Sequence, residues 1–167
     1  MAQVRMMRTT SGLAASGAAA LAVGALVYLS DRDAASAVLL PASWALGGGP
    51  LFGALGMWLP SFVHPLAFSL FTAALLPRRA VPAYGVCAAW CAVNLVFEIG
   101  QHPGVSGLLA QAVREAFGSG PVSTALARYF VRGTFDWGDI AAAVLGSLFA
   151  ASLLRVAHAA TPDQHAR

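Results

Sequence analysis

Three separated groups of side chains in this 167-residue chain have residue types and spacings suited to chemistry. Glu98 and Gln101 close one apolar run, Arg132, Asp136 and Asp139 stand at the mouth of another, and His64 lies near the start of a third. His64 and Glu98 are the types of a general acid–base pair, because imidazole titrates near neutrality and burial raises a glutamate toward the same range. Asp136 and Asp139, with His64, would alternatively offer oxygen and imidazole ligands to a divalent metal. A third chemistry is charge pairing without a reaction. Arg132 would then face Asp136, four residues on, or Glu98 across the helices, while Gln101 bonds backbone carbonyls. No serine or cysteine stands in a recognised nucleophile setting, and there is no His-Glu-x-x-His pair for zinc. These residues name no cofactor.

Any of these chemistries requires the groups to meet, so the elements carrying them matter next. The chain is 58% hydrophobic and 10% charged, whereas a soluble domain has about half apolar and about a quarter charged residues. The class is therefore an all-α membrane protein of one domain. The net charge of +3 is carried by arginine, since the chain has no lysine. In an apolar chain this balance points to loop orientation and to anionic lipid. No basic stripe with interleaved aromatics marks a nucleic-acid surface, so the expected partner is the lipid bilayer and not nucleic acid. Cys87 and Cys91, four apart in an apolar run, share a helix face in poor geometry for a mutual disulfide and read as small packing residues.

Four apolar runs follow in order. A short segment, residues 1–11 with Arg5 and Arg8, precedes the first, at about 12–30. A signal peptide begins in the same way, but this run is long enough to cross a hydrocarbon core of about 30 Å at about 1.5 Å per residue, and we read it as an uncleaved span. Residues 34–50 form a connection ending in Gly47-Gly48-Gly49-Pro50, a flexible turn and not a phosphate loop. Leu51 to Leu59 reads as interfacial, with Trp44 and Trp58 at that level, and the second span covers about 60–76. The third covers about 81–99, and Asn94 within it reads as a helix–helix hydrogen-bond partner. His102-Pro103-Gly104 breaks that helix, and His102 reads as a loop residue.

Residues 104–131 are not a span. Val105, Leu108, Leu109, Ala112, Val113, Ala116 and Phe117 recur at helical spacing opposite Gln111, Arg114 and Glu115, which predicts an amphipathic helix lying on the membrane surface. A second short helical stretch carries Val122, Leu126, Tyr129 and Phe130 on one side. The fourth span covers about 139–157, and residues 159–167 form a polar tail. The expected architecture is a four-span transmembrane helix bundle with an amphipathic interfacial helical segment between spans three and four.

Orientation then fixes depth. Arg5, Arg8, Arg78, Arg79, Arg155 and Arg167 fall on one side of the four-span arrangement, and short basic loops stay cytoplasmic. Both termini are expected there, in a multi-pass protein of a bacterial cytoplasmic membrane. His64, Glu98, Gln101, Arg132, Asp136 and Asp139 then share one level near the extracytoplasmic boundary. Charges there are costly to bury, so they pair or do work.

These residues also carry a resemblance. Glu98-x-x-Gln101, a later Arg132-x-x-x-Asp136-x-x-Asp139, Gly146 in the following run, and His64 with Phe68 in His-Pro-Leu-Ala-Phe resemble the signature of the VanZ-like membrane proteins. The match covers roughly residues 60–158 in short pieces. The chain departs from the pattern in three places. Pro60-Ser61 occupies the neighbourhood of an aspartate that the family tends to carry, Ala143 stands where an asparagine is expected, and residues 104–131 lengthen the gap between Gln101 and Arg132. The resemblance implies a bacterial envelope protein embedded in the membrane. The family's namesake is associated with reduced susceptibility to the glycopeptide antibiotic teicoplanin, and no enzyme mechanism comes with it. The implied role is accessory or ligand-binding, with a cell-envelope lipid or glycan as ligand. The alternative is a small membrane enzyme acting on a lipid or lipid-linked glycan at the outer leaflet.

Overall fold

The computed structural model describes residues 2–31, 50–76 and 82–159. Arg32, Asp33, most of the glycine-rich connection, Trp44, the Arg78-Arg79 turn and the polar tail beyond Ala159 lie outside the described residues. Among the described residues all regular structure is helical: α1 (Ala2–Ser30), a short 3-10 helix (Gly53–Met57), α2 (Leu59–Leu75), α3 (Ala83–Gly100), α4 (Ser106–Phe117), α5 (Pro121–Arg132) and α6 (Trp137–Ala159).

α1 starts well before Gly12, where the sequence reading placed the span. No proline interrupts residues 2–30, so the arginine-bearing segment continues the helix and does not precede it. Its part from Thr10 to Ser30, with α3 and α6, gives three helices long and apolar enough to cross a membrane. α2 is apolar but shorter, at 17 residues, or about 25 Å of rise. Pro60 sits in its first turn, where a missing N–H is tolerated, and the 3-10 helix precedes it, so residues 51–58 stay outside this helix, which starts one residue earlier than the sequence suggests.

α2 is the centre of the bundle. It packs against α1, α3 and α6, and buries Val63, Pro65, Leu66, Ala67, Ser69 and Leu70. Small residues let the backbones come close. Gly17 and Gly24 of α1 face Ala67 and Val63, and Gly146 of α6 lies directly against the Phe62 carbonyl of α2, with no room there for a Cβ. Leu66, Leu70, Cys87, Ala150 and Leu154 form the core, and both Cys87 and Cys91 are free thiols. The outer faces carry exposed Val23, Val93, Val96, Leu145, Leu148 and Phe149. So much contiguous exposed apolar surface belongs against lipid, and the protein is a multi-pass membrane protein.

Asp31 fastens the end of α1 to the segment before α2. Its carboxylate accepts the Ser30 hydroxyl at 2.5 Å and the N–H groups of Leu51 and Phe52, each at 2.8 Å. Desolvation opposes its charge, but hydrogen bonds from Ser30, Phe52, Leu51 and Gly53 together hold its pKa below the ordinary 3.8.

α4 and α5 form a hairpin, so part of the apolar face read from the sequence is covered by protein. Ala110 and Val113 of α4 are buried against Ala127 and Phe130 of α5, with Leu109 and Leu126 packed alongside. Gly118 makes the turn at φ +69°, a conformation that favours glycine, and the Ser123 hydroxyl donates to the Gly118 and Gly120 carbonyls at 2.5 and 2.9 Å. The apolar faces of both helices are spent partly on each other, while Leu108 and Phe117 remain 73% and 75% exposed. Aromatic stacking fixes the hairpin to the end of α3: Phe97 lies 5.7 Å from both Tyr129 and Phe130 between ring centroids, and Gly100 leaves room for Phe130.

Candidate functional site

The C-terminal ends of α1 and α3 and the N-terminal ends of α2 and α6 meet around one cavity of about 590 Å³, with α5 across it. Tyr28 of α1 and Pro60, Ser61 and His64 of α2 line one part of it. Asn94, Phe97, Glu98 and Gln101 of α3 and Asp139 and Ala143 of α6 line another. Ala125, Arg128, Tyr129 and Arg132 of α5 complete it, with Gly133 and Thr134. Five of the six residues singled out from the sequence are therefore neighbours of one space. Asp136 is not among its lining residues.

Asp136 is held instead as the helix cap of α6. Its Oδ1 accepts the Gly138 N–H at 2.8 Å and its Oδ2 accepts the Trp58 indole N–H at 3.1 Å. Its main-chain N–H donates to Glu98 Oε1 at 2.7 Å. A side-chain oxygen bonded to the second N–H of a helix is the N-cap arrangement, which satisfies a donor that the helix itself leaves open. Gly138 is required beside it, because the Trp58 ring occupies the position a Cβ would take. Glu98, Asp136 and Trp58 thus tie the ends of α3, α6 and α2 together through one residue.

The other carboxylate of the pair, Asp139, lies in the first turn of α6 and accepts the Ser61 hydroxyl at 2.6 Å, joining α6 to α2. A carboxylate in that position also suits the positive end of the helix dipole. His64 is half-buried and stacks on Phe68 at 6.2 Å between centroids, and Phe68 stacks on Trp90 at 4.8 Å. The Trp90 indole donates to Thr72 at 2.9 Å, so an aromatic ladder anchored between α2 and α3 sets the imidazole in place.

Several expected pairings are replaced by others. Arg132 makes no ion pair with Asp136 or Glu98 among the described residues. The spacing rule fails because α5 ends at Arg132 and Gly133 is extended (φ −66°, ψ 155°), so Asp136 lies beyond the helix. Gln101 donates to the Tyr129 hydroxyl at 2.7 Å and not to a backbone carbonyl, with its side chain directly against Gly133. Asn94 donates to the carbonyl of Trp90 in its own helix at 2.8 Å and does not bridge helices, leaving it on the cavity wall. His102 is a turn residue, its Nδ1 accepting the Gly104 N–H at 3.1 Å.

Among the described residues no three His, Cys, Asp or Glu side chains gather closely enough to hold a metal ion. Two contributors were missed in the sequence, Trp58 and Ser61. Both flank Pro60 at the start of α2, three residues apart and so on one side of the helix entry, which is the only signal that could have found them. Tyr129 is a third. Its side chain is 40% exposed, yet burial of the hydroxyl, with the Glu98 charge behind it, pushes its pKa up to about 12. The phenol is therefore a neutral hydroxyl at physiological pH.

The arrangement is a polar, asymmetric chamber at the ends of apolar helices. It offers carboxylates on the α3 and α6 side, guanidinium groups on the α5 side, and an imidazole on α2. It is suited to holding the polar head of an amphiphile while the apolar flanks face lipid. Comparison with models of known protein families, with curated proteins and with solved structures finds no match to this chain.

Proposed function

We propose that this is a VanZ-like protein of a bacterial cytoplasmic membrane. In this reading α1, α2, α3 and α6 are its four spans, both termini are cytoplasmic, and its cavity at the extracytoplasmic helix ends binds a cell-envelope lipid or glycan in an accessory role. The observation that carries the reading is the cavity itself. His64, Glu98, Gln101, Arg132 and Asp139 come from four different helices, yet line one space at one level of the bundle. The alternation of helix directions around that space supports four crossings, with α2 shielded by its three neighbours and therefore able to be shorter. The distribution of arginines between the short and long connections supports the orientation.

A catalytic reading of the same cavity has one observation in its favour. Glu98 Oε2 and the His64 ring have no hydrogen-bond partner among the described residues, so both remain available to an incoming molecule. On a lipid or lipid-linked glycan they would serve as base and acid.

The test is substitution of His64 by glutamine, because no hydrogen bond of the fold passes through its side chain. We expect normal protein abundance in the membrane with an altered envelope phenotype, read as teicoplanin susceptibility of cells carrying the variant. Wild-type behaviour of His64→Gln, Glu98→Gln and Asn94→Ala alike, at equal abundance, would remove the cavity from the function.

A further inference from the structure

α4 and α5 carry Arg114, Arg128 and Arg132 against a single carboxylate, Glu115, which is already bonded by Gln111 at 2.7 Å. The three arginines surround a second cavity, about 340 Å³, with Thr124, Ala127 and Val131 between them. Thr124, Arg128 and Arg132 fall four apart along α5 and form one stripe, and Arg114 reaches the same space from the last turn of α4. All three arginines are exposed, and no ion pair or hydrogen bond joins their side chains to another described residue. Like charges four apart on a helix repel. Three guanidinium groups kept together without a carboxylate are arranged for an anion from outside the protein.

The shape of the guanidinium narrows the anion. Its planar fork matches phosphate oxygens two at a time. Position narrows it further. The hairpin is stacked on the end of α3, just past an apolar helix, and it turns Leu108, Phe117 and Val122 outward at 73–80% exposure. A cationic ledge beside exposed apolar side chains at the end of a membrane-crossing helix sits where lipid phosphates lie. Arg128 and Arg132 line both cavities, so a phosphate on the ledge would place the rest of its molecule at the mouth of the His64–Glu98 chamber.

From this we infer that Arg114, Arg128 and Arg132 form a phosphate-binding ledge that admits the headgroup of an anionic lipid to the chamber. The inference rests on the reading of the chamber as an amphiphile site and names the class of ligand.

The experiment uses the full chain purified in a neutral detergent and offered equal amounts of phosphatidylglycerol and phosphatidylcholine, with retained lipid counted by native mass spectrometry. Wild type is expected to keep phosphatidylglycerol in preference. Each arginine at a lipid surface changes that preference about fivefold, so Arg114→Ala/Arg128→Ala should lower it about 25-fold while the unfolding midpoint stays unchanged. Arg114→Lys/Arg128→Lys should recover part of the loss, because charge returns without the fork. Equal retention of the two lipids by wild type, or an unchanged preference in the alanine variant, overturns the ledge. Displacement by millimolar inorganic pyrophosphate without retention of phosphatidylglycerol would make the phosphate a soluble one and overturn the lipid source. The glutamine variant of Glu98 separates the two readings. If it keeps the lipid preference and the wild-type envelope phenotype, the ledge stands and the chamber's function does not.

Discussion

Asp136 offers the sharpest test of how the cavity is built. Replacing it with alanine removes the acceptor of the Gly138 N–H, a helix cap worth about 0.5–2 kcal/mol. It also leaves the half-buried Trp58 indole N–H without its acceptor, a loss of about 1–3 kcal/mol. The bond from the residue-136 main chain to Glu98 survives, since it does not involve the side chain. The expected cost is therefore about 2–4 kcal/mol, which for a chain of this size lowers the unfolding midpoint by roughly 10 °C. Asparagine keeps one side-chain oxygen and should lose about half as much, because that oxygen can serve the cap or the indole but not both. The assay is thermal unfolding of the purified protein in detergent, followed by tryptophan fluorescence. A double-mutant cycle with Trp58→Phe supplies the check. If Asp136 holds the indole, Trp58→Phe costs about 1 kcal/mol less in the alanine background than in wild type. A coupling indistinguishable from zero, with alanine and asparagine variants equally stable, would refute the bridge between α2 and α6.

Three further outcomes follow from the packing and the ionisable groups. Gly146→Ala places a methyl group against the Phe62 carbonyl, so α2 and α6 must separate; we expect a loss of at least about 1–3 kcal/mol and a fall in membrane-inserted protein, measured by unfolding and by immunoblot. Tyr129 has a folded pKa raised to about 12, so its contribution to stability is complete below about pH 10 and lost as pH rises toward about 12; Tyr129→Phe should remove that part of the alkaline transition in a pH-dependent unfolding series. For Asp31 the folded pKa is lowered, so its contribution is present above the ordinary 3.8 and lost as pH falls through the lower folded value; Asp31→Asn should abolish that acid-side loss, with protease cleavage near Leu51 as the readout.

Much of the helical layout is legible in the sequence because long apolar runs bounded by proline, glycine and charge leave few choices. The start of α2 read at Pro60 and the end of α3 read at Ile99 each lie within one residue of the ends in the structure. Burial partners are less legible. The periodicity of residues 105–117 shows that α4 has an apolar face but not what covers it, and Val113 turned to Phe130 of α5 where lipid was expected. Spacing rules failed wherever a helix ended between the paired residues. Arg132 and Asp136 are four apart across Gly133, where α5 has already ended, so they do not share a helical turn. Trp58 and Ser61 became visible only once α2 and α6 were placed together, since each bonds an aspartate 78 positions away.

The six polar residues first grouped by position now divide by what the fold already asks of them. Both oxygens of Asp136 accept bonds from the protein, so its loss reads out stability before anything else. Glu98 and Asp139 are shared, each accepting a bond from a neighbouring element, and alanine at either confounds folding with function. Gln101 is bonded to Tyr129 and holds α5 across the cavity. His64 and Arg132 are the two whose side chains carry no hydrogen bond to a described residue while lining the cavity. Neither side chain gives the fold a hydrogen bond or ion pair to a described residue, so substitution removes no such bond. His64 and Arg132 therefore separate ligand binding from structural support most cleanly. Arg132→Gln should leave the unfolding midpoint within about 1 °C of wild type, and His64→Gln should lower it by only the few degrees that one lost ring contact costs. A large drop in either midpoint would show that the cavity is a structural polar core and not a site.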